Sequence, residues 1–170
     1  MMRNSRLSLF LCCALCAVPL VGAVAQTAPV VLAGAQLARV VPPGFYYSGQ
    51  SAPTQARNSA AARFGANRYV VAGLVDTSGY SADVRAAYEG FLITDSPVRV
   101  QTGELPTGAY GFGFTNDGRL NVFDVGGRTV LTVAVEQERG LRRPRPLMMR
   151  AAADGLRLYS GRSYVVIAPQ

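Results

Sequence analysis

The chain reads as an all-β protein, an antiparallel meander of about seven or eight strands over residues 68–168 that closes as a small barrel or a sandwich. Three observations lead there. Turn signals recur at short intervals in the C-terminal half: Asn116-Asp117-Gly118, Gly126-Gly127, Asp154-Gly155 and Ser160-Gly161. Each lies between apolar runs, which is the sequence form of a hairpin. Those runs alternate with period two. Leu131, Val133 and Val135 share one side and Thr132 and Glu136 the other, while Leu156 and Leu158 alternate with Arg157 and Tyr159. From Arg68 onward, short β-branched and aromatic runs end abruptly at turn residues: Tyr69-Val70-Val71 on to Val75, then Asp76-Thr77-Ser78-Gly79.

The elements follow in chain order. Residues 1–25 have the pattern of a secretory signal peptide. Arg3 and Arg6 supply a positive start, residues 7–21 are almost unbroken apolar sequence, and Ala23-Val24-Ala25 is a small-x-small cleavage site ahead of Gln26. The apolar run is short for a membrane span, which takes about 20 residues, and no transmembrane span is expected in the mature chain. Cys12, Cys13 and Cys16 all fall inside the leader, and none follows a small residue, which argues against lipid anchoring. Export to the periplasm or medium is the expectation.

Residues 26–66 form one compositional block rich in Ala, Pro, Gly, Ser and Gln, expected to be a linker or loosely structured extension. Within it, residues 30–41 suggest an extended segment, and residues 54–64 a short Ala-rich helix. Phe45-Tyr46-Tyr47 either docks on the domain as an extra strand or forms a sticky patch for a partner or carbohydrate. Residues 67–170 are the expected β-domain. Inside it, residues 81–88 suit one or two helical turns, with Ser81 as cap and Val84, Ala87 and Tyr88 on one face. Ala86 onward is assigned to the next strand, which contains Phe91-Leu92-Ile93-Thr94.

Composition then restricts the chemistry. The chain has no His, no Lys and no Trp, and all 17 basic residues are arginines. After cleavage it has no Cys either. It therefore cannot build the usual zinc, copper or haem sites, nor a Ser-His-Asp or Cys-His arrangement. No cofactor and no metal are expected. Removing 25 of the 170 residues leaves 145, and removing Arg3 and Arg6 lowers the net charge from +7 to +5. A moderately basic exported chain favours anionic surfaces. No DNA- or RNA-binding motif accompanies the charge, so no nucleic-acid partner is expected.

Two features are candidate contact sites. Arg139, Arg142, Arg143 and Arg145 crowd one short segment, where Pro144 and Pro146 favour an extended backbone. It is either a solvated basic loop or a grip for phosphate or carboxylate groups. In Tyr110-Gly111-Phe112-Gly113-Phe114, period two puts three aromatics on one face and Gly111 and Gly113 on the other. The glycines mark either a tight approach within the fold or the floor of a ligand site. The carboxylates Asp76, Asp95, Asp117 and Asp154 look like turn residues, and Glu89 is the one expected to be partly buried.

Leu105-Pro106-Thr107-Gly108-Ala109-Tyr110, Arg143-Pro144-Arg145-Pro146-Leu147 and Arg157-Leu158-Tyr159-Ser160-Gly161-Arg162-Ser163-Tyr164-Val165 together resemble segments of small exported all-β proteins of environmental bacteria. The resemblance implies export and a β-domain but no activity. The leading expectation is a module that contacts a protein or an anionic component of the envelope. A carboxylate-based enzyme acting on an envelope polymer and a purely structural accessory protein stand as alternatives.

Overall fold

The computed structural model describes residues 28–170; the expected leader and its cleavage site lie outside the described residues. The described residues start with β1 (Val30–Val31), α1 (Gly34–Val40), β2 (Gly44–Tyr47) and β3 (Gln50–Phe64). It continues through β4 (Arg68–Val75), α2 (Ala82–Ala87), β5 (Gly90–Thr94), β6 (Val98–Val100) and β7 (Gly103–Leu105). β8 (Gly108–Phe114), β9 (Arg119–Phe123), β10 (Thr129–Ala134) and β11 (Glu136–Gln137) follow. The last three strands are β12 (Arg145–Ala152), β13 (Gly155–Gly161) and β14 (Ser163–Pro169).

These strands form two antiparallel sheets and, among the described residues, no closed barrel. The first runs β1-β3-β4-β5-β8-β9-β10, with β2 added to β3; the second runs β12-β13-β14-β6-β7, with β11 added to β14. All four turns expected from sequence join adjacent antiparallel strands. From β4 onward there are 11 strands, of which β6, β7 and β11 span three residues or fewer. The eight longer ones match the expected number, and the short ones carried too little alternation to be read.

The two sheets pack face to face over one core. Phe64, Val70, Leu92, Phe112, Leu120 and Val122 project from the first, and Val100, Leu147, Leu156, Leu158, Val165 and Ile167 from the second. A second apolar layer, including Phe45, Tyr47, Tyr88 and Phe91, covers the outer face of the first sheet. That sheet is therefore buried on both sides, which explains why β4 and β5 read as continuous apolar runs and not as alternation. No described helix is long and apolar enough to cross a membrane.

The block expected to be loosely structured is part of this architecture in its described portion. β3 is the longest strand, at 15 residues, and lies between β1 and β4 in the first sheet. The Ala-rich stretch expected as a helix is extended: Ala60, Ala62 and Phe64 enter the central core while Ala61 enters the outer layer. Alanine favours helix by only a few tenths of a kcal/mol over most residues. Burial on both faces of a sheet outweighs that preference, and small side chains let the layers approach closely. The expected extended run over 30–41 is strand only at Val30–Val31 and then turns into α1, which stops before Pro42-Pro43.

Other local readings hold. Tyr46-Tyr47 does dock as a strand, with Phe45 and Tyr47 buried and Tyr46 55% exposed. Ser48 and Gly49 both take positive φ, 47° and 89°, in the tight turn to β3. Ser81 caps α2 by accepting the Val84 N–H at 3.4 Å. α2 extends to Ala87, and the following strand begins at Gly90 instead of Ala86.

Candidate functional site

The outer face of the second sheet is built by register. Met148 pairs with Tyr159 and Tyr159 with Tyr164; one step along, Arg150 pairs with Arg157 and Arg157 with Val166. Their strand neighbours Leu147, Met149, Leu158 and Val165 point into the central core, so these six side chains stand on the opposite face. β11 adds the edge that brings Glu136 opposite Tyr164.

Two phenols then seize two carboxylates. The Tyr164 hydroxyl donates to Glu136 Oε2 and the Tyr159 hydroxyl donates to Glu138 Oε2, each at 2.5 Å. Accepting a phenolic proton suits a carboxylate and disfavours a neighbouring phenolate. The Glu136 contact, reinforced by burial, pushes the Tyr164 hydroxyl up to about 12. Burial, and then Glu138, also raises that of Tyr159. The Arg157 guanidinium lies 4.6 Å from the Tyr164 ring centroid, 3.0 Å from Asp154 and 3.8 Å from Glu138. Arg150 reaches Glu138 at 3.5 Å, with both side chains in contact with solvent.

This network seats the arginine segment. Glu138 donates its N–H to the Arg162 carbonyl at 2.9 Å and its own carbonyl accepts the Leu141 N–H at 3.1 Å. Leu141 is buried at 7% exposure against Tyr159 and Tyr164. The loop is thus held by a charged anchor at its start and an apolar one near its middle. Between and beyond these anchors, Arg139, Arg142, Arg143 and Arg145 are exposed. Among the described residues, none of the four has an ion pair. Arg142 and Arg143 line an open depression of about 790 Å³, together with Glu138, Gly140, Leu141, Met148 and Arg150. Arg139 and Arg145 flank it without lining it. A guanidinium fork that lacks an internal partner retains its full capacity for a carboxylate or phosphate.

The glycine-faced strand has a different role. Phe112 lies in the central core, with Tyr110 and Phe114 packed against it. On the other face, a Cβ at Gly111 would stand 2.7 Å from the Tyr47 ring and 3.1 Å from that of Tyr88. A Cβ at Gly113 would run into the Ala87 carbonyl oxygen. Tyr47 and Tyr88 are stacked, with ring centroids 3.9 Å apart. The space considered for a ligand is filled by β2 and by the end of α2, and the glycines permit that close approach.

Several other carboxylates tie down backbone or a neighbouring side chain. Asp76 accepts the Ser78 N–H and Asp95 the Tyr69 N–H, at 3.0 and 2.8 Å. Asp117 pairs with the Thr115 hydroxyl in its turn, and Asp154 with Arg157. Glu89 is half-buried and accepts the Phe114 N–H at 3.0 Å; burial pushes its carboxyl above the ordinary range. No group of three potential metal ligands occurs among the described residues.

Sequence reasoning selected the four arginines but missed Arg150, Glu138, Leu141 and Met148, which complete the depression. Period-two alternation along β12 places Met148 and Arg150 on the outward face. Nothing local in the chain, however, links Glu138 to Tyr159. In comparisons with known proteins, the chain matches no family model, no curated protein and no solved structure.

Proposed function

We propose that this chain is an exported β-domain that binds an anionic partner in the cell envelope through the loop carrying Arg139, Arg142 and Arg143 and through Arg145, the first residue of β12. One observation carries the reading. Arg142 and Arg143 have no ion pair among the described residues and stand beside an open depression, on a loop held in place by Glu138 and Leu141. Ordering a loop before binding removes part of the entropic cost of association. The export half of the proposal is supported by the leader-like order of charge, apolar run and small residues in residues 1–25.

The test has two arms. Expression of the full chain in a bacterial host, followed by fractionation and mass spectrometry, should yield a processed protein that begins at Gln26 outside the cytoplasm. Binding of that protein to native envelope extract should weaken as salt rises, because salt screens the attraction and lowers the entropy gained by releasing counter-ions. It should also fall in the Arg142→Ala/Arg143→Ala variant, where removing each charge-assisted hydrogen bond should cost about 1.5–3 kcal/mol. Salt-insensitive association, or full retention by the variant, would remove the arginine loop from the function.

A further inference from the structure

Resting on the anionic-partner reading, we infer that the occupant of this surface is an acidic polysaccharide, whose repeating carboxylate or phosphate groups are gripped in succession by separate arginines. The positive surface is longer than one anion needs. Arg142, Arg143 and Arg150 border the depression. Arg139 and Arg145 extend the surface along the chain, and exposed Arg162 adjoins it through the backbone bond from Glu138 to its carbonyl. Arg139, Arg145 and Arg162 likewise have no ion pair among the described residues. A single phosphate or carboxylate is satisfied by one or two guanidinium forks. Arg150 is shared with Glu138 at 3.5 Å, and the other five arginines, spread over one loop and the adjoining strand ends, suit a ligand that repeats its charge.

The same surface lacks what other partners require. The large exposed apolar residues among the described residues are Val30, Val31, Tyr46, Val125 and Val130. None lies on the arginine loop or on the outer face of the second sheet. There is accordingly no apolar anchor for a protein hot spot or for insertion into a lipid surface. There is no exposed aromatic platform for stacking nucleobases. Extended peptides gain affinity by pairing with a strand backbone, and Pro144 and Pro146 withdraw two donors at the entry to β12. A hydrated polymer with regularly spaced charge needs none of these features.

The experiment uses the processed protein purified after export of the full chain, with binding followed calorimetrically at low salt. The probes are alginate oligosaccharides of increasing length, monomeric mannuronate, neutral dextran, polyglutamate and phosphatidylglycerol vesicles. Alginate affinity should climb with length by about tenfold for each further arginine engaged, dextran should not bind, and polyglutamate and vesicles should bind at least tenfold more weakly. Arg142→Ala/Arg143→Ala/Arg150→Ala should abolish the length dependence, and Arg142→Lys, which keeps charge but removes the fork, should reduce it in part. Equal binding of polyglutamate or vesicles, or no gain over mannuronate, would overturn the polysaccharide assignment while leaving an anionic partner in place. Absence of binding to every anion, or binding that the triple variant retains, would overturn both.

Discussion

The Tyr159 hydroxyl donates to Glu138 Oε2 at 2.5 Å across 21 residues of chain, joining the first residue of the arginine loop to the sheet beneath it. Glu138 also receives Arg150 and Arg157. These ion pairs are partly exposed, so each contributes about 0–1 kcal/mol. The phenol contact is the stronger tie, because the hydroxyl is sheltered and the acceptor is charged.

Tyr159→Phe should accordingly keep the fold and release the loop. We expect a loss of about 1.5–3 kcal/mol in urea unfolding, the range for a hydrogen bond to a charged group. The more telling readout is hydrogen exchange at the Leu141 amide, which should accelerate well beyond the change in global stability. Unchanged protection at Leu141 would show that the loop is held by other contacts.

Gly111→Ala and Gly113→Ala should both destabilise, and unequally. At Gly111 the obstacles are side chains, the stacked rings of Tyr47 and Tyr88; overpacking of this kind costs about 1–3 kcal/mol. At Gly113 the obstacle is the Ala87 carbonyl oxygen, so α2 itself must shift and the loss should be larger. Thermal unfolding of the two variants checks the order.

Glu89 should make stability depend on pH. Its carboxyl is raised by burial, against the opposing effect of the Phe114 N–H, so the native state holds its proton more tightly than the unfolded chain. The associated stability is fully present below the unfolded-state value and is lost as pH rises through the folded-state value. Glu89→Gln keeps an acceptor for Phe114 and should flatten that decline, giving a more stable protein near neutrality. Unfolding free energies measured from acid to neutral pH for both proteins would reveal it; parallel curves would contradict it.

Ser81→Ala should weaken α2 slightly. The cap bond to Val84 is long, at 3.4 Å, and exposed, which places the expected loss near the low end of about 0.5–2 kcal/mol. Because the end of α2 covers Gly113, Ser81→Ala combined with Gly113→Ala should depart from additivity in a double-mutant cycle, whereas Ser81→Ala with Tyr159→Phe should not.

What could be read from the chain was local. The turns at Asn116-Asp117-Gly118 and Gly126-Gly127 include Gly118 and Gly127 at φ 79° and 92°, a demand that glycine meets within a few residues of itself. The Ser81 cap and the one-sided aromatics of β8 have the same character, and so does the clustering of four arginines. The depression was legible only in part, since Arg150 and Met148 enter it from β12 and Leu141 is turned inward by the tyrosine pair.

By itself, then, the sequence determined the antiparallel β-class, the hairpin turns, the α2 cap and the clustering of four arginines, because each depends on residues within a short span. Only the tertiary structure decided that Ala60, Ala61 and Ala62 are strand, that β1, α1 and β2 belong to the sandwich, and that the glycine face is closed. It alone also brought Glu138 to Tyr159. Those outcomes depend on which surfaces meet. Burying both faces of the first sheet outweighs the weak helical preference of alanine, and pairing residues far apart in sequence takes the assembled sheets to bring them within hydrogen-bonding reach.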